Sequence, residues 1–153
     1  MQLTDIFLRL GPDHFDQLLR SISIGRLKTF QLYERMKLRL HLPKLNSESL
    51  RKSAPRLWKR FEDKDETLAT ELSQCILISH MDMIKAALDH LGIEHEEGFF
   101  SKDSEVADHL KEGWQQAAWD ALKDSHPHSA LLFYINHLGF EAAKLQEVFL
   151  PAA

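Results

Sequence analysis

The chain has 153 residues, 44% of them hydrophobic and 27% charged. That is one domain's length at ~100–200 residues per domain, with an ordinary globular composition, which excludes a collagen-like, purely coiled-coil or wholly disordered protein. The net charge of −4 conceals a polarity: residues 1–60 hold 13 Lys+Arg and 5 Asp+Glu, a balance of +8, whereas residues 61–153 hold 6 and 18, a balance of −12.

The apolar period is helical almost throughout. Thr4 is placed to N-cap a first helix with Ile6, Phe7 and Leu10 inward. Gly11 stops it, and Pro12 suits the first turn of a second helix carrying Phe15, Leu18, Leu19 and Ile22. Gly25 separates that helix from a third, with Leu27, Phe30, Tyr33 and Met36 on one side. Residues 36–42 then alternate apolar and polar, a strand pattern with no partner elsewhere in the chain. An unpaired strand leaves its backbone groups unsatisfied, so this stretch reads as a helix end running into an extended link at Pro43. Pro55 divides the next piece into two short helices, about 47–53 and 55–61. Asp63 with Glu66 resembles a capping box for the helix that follows.

Residues 65–91 keep helical spacing through Leu68, Leu72, Cys75, Ile76, Met83, Leu88 and Leu91, with Gly92 where a C-terminal glycine belongs. Residues 93–102 read as a loop. Ser101 or Ser104 caps a second long helix, to residue 123, striped by Val106, Leu110, Trp114, Ala117, Ala121 and Leu122. A turn at Ser125-His126-Pro127 leads into residues 130–138, apolar nearly all round and therefore a central buried helix. Gly139 is expected to end it, with a last amphipathic turn or two over 140–150. The expected fold is all-α: a single compact bundle of about seven to eight helices, two long ones antiparallel, around the buried apolar helix. No Ser/Pro/Gly-rich linker divides the chain, so residues 1–153 are expected to form one domain with a basic subregion (1–60) and an acidic one (61–153).

A single cysteine, Cys75, forbids an intramolecular disulfide and suits a reducing compartment. The first residues show no basic and apolar signal pattern, and the longest apolar run, residues 130–135, is far short of the ~20 residues a membrane span needs. A cytoplasmic protein without membrane association is expected.

Catalytic and metal patterns fail one by one. No Asp or Glu has a His three positions later, as helical di-iron ligands require. His95-Glu96-Glu97-Gly98-Phe99 begins a zincin motif but ends in Phe. No P-loop, nucleophile elbow or Cys-x-x-Cys pair occurs. No cofactor is therefore expected, and no motif identifies a family. Weaker groupings remain. Asp89, His90, Glu94 and His95, with Glu96 and Glu97 adjoining, could ligate a divalent ion, although a solvated acidic loop explains them as well. Tyr134 and His137 lie three apart on the most buried helix, as a proton-transfer pair or as satisfied core polar groups. Phe99 and Phe100, beside Gly98, form either a partner-binding wedge or a plug on the bundle end.

Residues 26–60 contain 11 Lys+Arg and only Glu34 and Glu48 as carboxylates. Lys28, Arg35 and Arg39 share one helix face; Lys52, Arg56, Lys59 and Arg60 have similar spacing, with Phe30, Tyr33 and Trp58 interleaved. Such a face suits nucleic acid or an acidic partner. Against nucleic acid, the chain's pI of about 6.1 is well below the ~9 usual for such domains. A domain with a radius of gyration of ~15 Å also keeps its acidic half close to any bound polyanion. The sequence therefore favours a non-enzymatic interaction or regulatory module, with self-association among its modes. A nucleic-acid-binding module is second, and an enzyme or metal-binding protein using a His/carboxylate pocket is third.

Overall fold

The computed structural model describes residues 1–23, 52–98 and 106–152, and every regular element among them is helical. These are α1 (Leu3–Leu10), α2 (Pro12–Ser21), α3 (Ala54–Glu62), α4 (Glu66–Ser79), α5 (Met81–Leu91), a 3-10 turn (Val106–His109), α6 (Trp114–Leu122) and α7 (His128–Ala143). The expected third helix, the alternating 36–42 stretch, the short helix near 47–53, and Lys28, Arg35, Arg39, Phe99 and Phe100 lie outside the described residues. Among the described residues, no helix is long and apolar enough to cross a membrane.

The chain divides into two compact units, Gln2–Ser79 and His80–Ala153, the latter joined by Met1. In the first, α1, α2, α3 and α4 bury their apolar stripes against one another. Its centre is aromatic. Phe7 and Phe61 stack with ring centroids 4.6 Å apart, and Phe15 meets both edge-on at 5.9 and 5.2 Å. Trp58 leans on Phe15 at 5.6 Å. Edge-to-face and offset pairs at these distances add to the burial of the rings.

The N-terminus of α1 departs from the expected cap. Gln2, not Thr4, is the N-cap residue, and Asp5 accepts from the Gln2 backbone N–H at 2.7 Å. The amides of Leu3 and Thr4 donate to the Glu66 carboxylate, the latter at 3.2 Å. A carboxylate brought in from α4 therefore serves the orphan donors and the positive end of the helix dipole. Thr4 itself is fully buried inside the helix. The capping of α4 also differs from expectation. Asp65, not Asp63, accepts the Leu68 amide at 3.1 Å, while Asp63 pairs with Lys59 at 3.4 Å.

Residues 65–91 do not form one helix. The helical ladder breaks at His80, which takes φ −128° and ψ 40° between α4 and α5. Ser79 marks the break: its hydroxyl donates to the Cys75 carbonyl at 2.8 Å and accepts the Ser23 amide at 2.8 Å. A side chain bonding back to the preceding turn competes with the backbone ladder there, which apolar spacing alone does not reveal.

The expected 104–123 helix is likewise interrupted. The 3-10 turn ends at His109, and Gly113 adopts φ +81° as the N-cap of α6. Only glycine takes that left-handed geometry at no steric cost. In the other direction, α7 runs through Gly139 to Ala143 rather than ending at the glycine. A Cβ at Gly139 would lie 3.0 Å from Leu145 Cδ1 and 3.3 Å from Trp114 Cζ2, so this glycine serves close packing within a helix. Residues 140–143 thus belong to α7, and residues 144–152 form an irregular strap where the sequence suggested further helix. The core of α7 is as expected: residues 130–136, with Leu138 and Gly139, are buried.

Candidate functional site

The richest group of potential ligands lies around the C-terminus of α5. Gly92 closes that helix in the left-handed conformation (φ +73°), and the chain turns back along it. His95 Nε2 lies 2.7 Å from Asp89 Oδ1, and the Gly98 amide donates to His95 Nδ1 at 3.0 Å. The second bond makes Nδ1 an acceptor, so the ring is the neutral Nε2–H tautomer with Asp89 as its acceptor. Both ring nitrogens of His95 are thereby engaged. Lys85 reaches the Glu97 carboxylate at 2.7 Å, and that hydrogen bond, with the charge of the ammonium, holds Glu97 below the usual carboxylate range. His90 and Glu94 point to solvent as exposed residues. Among the described residues no three His, Cys, Asp or Glu side chains converge as a metal site. Of the four ligands considered from sequence, the structure brings only Asp89 and His95 together.

Tyr134 and His137 are both on α7, as their spacing implied. Tyr134 is 4% exposed, and its hydroxyl has no hydrogen-bond partner among the described residues, so it does not bond to His137. Burial makes it a far weaker acid than an ordinary phenol, pushing its pKa up. His137 rests against Phe133, ring centroids 5.7 Å apart. Burial pushes its protonation to lower pH, partly opposed by the charge of Glu141. The structure thus places the two on one helix without a hydrogen bond from the Tyr134 hydroxyl to His137. Tyr134→Phe should raise stability by about 1 kcal/mol, because a buried hydroxyl without a partner is a net cost. Urea titration checks this, and a loss above ~1 kcal/mol would mean that the hydroxyl is bonded after all.

The sign of the pH dependence from His137 follows from its lowered value. In the unfolded chain the imidazole takes its proton near pH ~6.5, whereas the folded chain resists it. Stability from this residue is thus present above pH ~6.5 and is lost as the pH falls toward the folded value. Denaturant titrations between pH ~7.5 and ~5.5 should show a smaller acid loss in His137→Phe than in the parent chain. Equal losses would assign the acid sensitivity to other groups.

One polar residue of α7 escaped the sequence reading. Asn136 is 4% exposed within the apolar run. Its Nδ2 donates to the Leu132 carbonyl at 2.9 Å and to the Phe149 carbonyl at 3.1 Å, and its Oδ1 accepts the Phe149 amide at 2.6 Å. The side-chain amide thus pairs with the backbone of residue 149 as a neighbouring strand would. Further along, the Ala152 amide donates to Gln116 Oε1 at 3.0 Å. At the other end, the Leu145 amide donates to the Gly139 carbonyl at 3.2 Å. Between strap and helix lies a pocket of about 600 Å³, lined by Gln115 and residues 145–150. Leu150, on its wall, is 60% exposed. The available signal was chemical: a lone amide in an otherwise apolar run must find partners, because buried polar groups are almost always hydrogen-bonded.

The described basic candidates lie on or just before α3. Arg60 is half-buried, and its Nη2 and Nε reach Asp65 Oδ2 at 2.7 and 2.9 Å, steadying the carboxylate that caps α4. Lys52 and Arg56 are exposed, and Lys59 shares an exposed contact with Asp63. Trp58, expected among stacking aromatics, spends one face on Phe15. Cys75 is fully buried, as its position on the apolar stripe implied. The class these features define is an all-helical protein with a basic helix face in one compact unit and an acidic, histidine-bearing helix end in the other. Comparison with protein-family models, curated proteins and solved structures finds no match.

Proposed function

We propose that this chain is a non-enzymatic helical interaction module of the cytoplasm, and that one of its partners is a second copy of itself. The observation that carries the reading is the charge of the two compact units. Gln2–Ser79 holds 14 Lys+Arg and 10 Asp+Glu, a balance of +4, while the remainder holds 5 and 13, a balance of −8. Each copy therefore carries a net-basic and a net-acidic unit, and a contact between unlike units of two copies is electrostatically matched. Among the exposed cations of the basic unit are Arg56 and Lys59. The Lys59–Asp63 contact does not withhold Lys59, because a solvated ion pair of this kind is worth only ~0.2–1 kcal/mol.

The reactive side chains support the non-enzymatic half of the reading. His95 uses both nitrogens in local bonds, Tyr134 and His137 do not meet, and Cys75 has no access to solvent.

The test is the light-scattering mass of the parent chain and of an Arg56→Glu/Lys59→Glu double variant at about 0.05 M salt, where screening is weak. The parent should exceed 17.7 kDa with increasing concentration, and the variant should need several-fold higher concentration to do so. Equal association of the two would remove the α3 face from the contact. Retention of a duplex oligonucleotide by the parent alone, without self-association, would favour a nucleic-acid partner and overturn the proposal.

A further inference from the structure

The turn after α5 is fastened to that helix through a titratable group. On the helix side stand Lys85 and Asp89; on the turn stand His95, Glu97 and Gly98. Lys85 holds Glu97 at 2.7 Å, and Asp89 holds His95 at the same distance. Gly98 then lies flat on the start of the helix: a Cβ there would come 2.7 Å from Met81 Cε and 3.6 Å from Ile84 Cγ2. Gly98 has φ +90° and Glu97 has φ +53°, so two successive left-handed residues close the turn. That geometry is sparsely populated for a residue with a side chain, and it persists when surrounding contacts over-determine it. The bond from the Gly98 amide to His95 Nδ1 is one of those contacts.

We propose that His95 makes this turn a pH-dependent clasp, with the neutral imidazole locking Gly98 onto α5 and the protonated one releasing it. The chemistry follows from the ring. In the neutral Nε2–H form, Nδ1 has a lone pair for the Gly98 amide. A proton taken up from solvent occupies that lone pair, and Nδ1–H then faces the Gly98 N–H as a second donor. The Nε2–H bond to Asp89 survives, because it needs the same proton in both forms. His95 therefore stays on Asp89 while Gly98 lets go. The charged groups near the ring are the carboxylates of Asp89 and Glu97 and the Lys85 ammonium bound to Glu97. Glu94 and Glu96, exposed on the turn, add negative charge, and His109 of the 3-10 turn lies near Gly92, its Nδ1 3.7 Å from where a Cβ would be. The consequence of release is to uncover Met81 and Ile84 at the start of α5. This is independent of self-association, since every group involved belongs to one turn and one helix.

Nuclear magnetic resonance of the full chain reads both ends of the clasp. At pH ~8 the His95 nitrogens should report the Nε2–H tautomer. On acidification the Gly98 amide should move with the same midpoint as the His95 ring, and its hydrogen-exchange protection should fall about three- to tenfold, the worth of one hydrogen bond. Asp89→Asn, which changes the partner of His95 Nε2, should leave the two midpoints coincident wherever they fall. In His95→Asn the Gly98 response should become flat. A proton on Nδ1 at pH ~8, a Gly98 amide indifferent to the His95 titration, midpoints that separate in Asp89→Asn, or a persisting pH response in His95→Asn would each overturn the proposal.

Discussion

Phe61→Ala lowers the unfolding free energy of the Gln2–Ser79 unit by about 3–5 kcal/mol, the usual range for deleting a buried aromatic ring. Phe61 has no exposed surface, and it is the residue at which the rings of three helices meet: Phe7 from α1, Phe15 from α2 and Trp58 from its own helix. Its removal takes away the stacked partner of Phe7 at 4.6 Å and the edge-on partner of Phe15 at 5.2 Å together. The cavity can collapse only partly, because each remaining ring is fixed to a different helix. Trp58, on the same element, reports the change by fluorescence. Urea titration followed at tryptophan should show the loss, and a change below ~1 kcal/mol would mean that the cluster closes over the gap.

Asn136→Leu has the second large effect, about 2–3 kcal/mol, from losing two hydrogen bonds to the Phe149 backbone that leucine cannot replace. The substitution keeps the branched shape of the side chain and suits the apolar run, but its methyl groups are bulkier than the amide atoms they replace, so the loss combines missing hydrogen bonds with tighter packing. Residues 145–152 then keep, among others, the Gly139–Leu145 and Gln116–Ala152 bonds and the one from the Met1 ammonium to Gln146. A strap so weakly tied opens to solvent, where water satisfies its backbone. Limited proteolysis should cut Asn136→Leu near Phe149 at least tenfold faster than the parent, a factor corresponding to ~1.4 kcal/mol of local opening. Parent-like resistance would show that apolar packing of Leu145, Val148 and Phe149 holds the strap without the amide.

Much of the helical character was legible because an apolar stripe repeats every three to four residues whatever the tertiary context. Phe15, Leu18 and Leu19 on α2 and the buried run of α7 lie where their spacing placed them. The interruptions were not legible, for a chemical reason in each case. At Ser79 a hydroxyl bonds back to Cys75 without disturbing the apolar pattern. Gly113 turns the chain, whereas Gly139, equally glycine, stays helical because Leu145 and Trp114 need the space of its missing Cβ. A one-dimensional pattern cannot separate those two uses. The α1 cap was also hidden, since its acceptor, Glu66, is more than sixty residues away.

Of the site candidates, only pairs close in sequence had a readable geometry. Asp89 and His95 meet because Gly92 turns the chain back along α5. Arg60, a candidate cation by its spacing, also steadies a helix cap through Asp65, which the spacing did not show. Asn136 was invisible as a site because it occurs once, in a segment whose apolar character dominates any window.

Sedimentation equilibrium of the full chain at about 0.05 M and about 0.5 M salt tests most directly the claim that the opposed charges of the two units drive association. The expected mass lies above 17.7 kDa at low salt and falls toward 17.7 kDa at high salt, as screening shortens from ~14 Å to ~4 Å. A mass of 17.7 kDa at every concentration and both salts, or an assembly indifferent to salt, would contradict it.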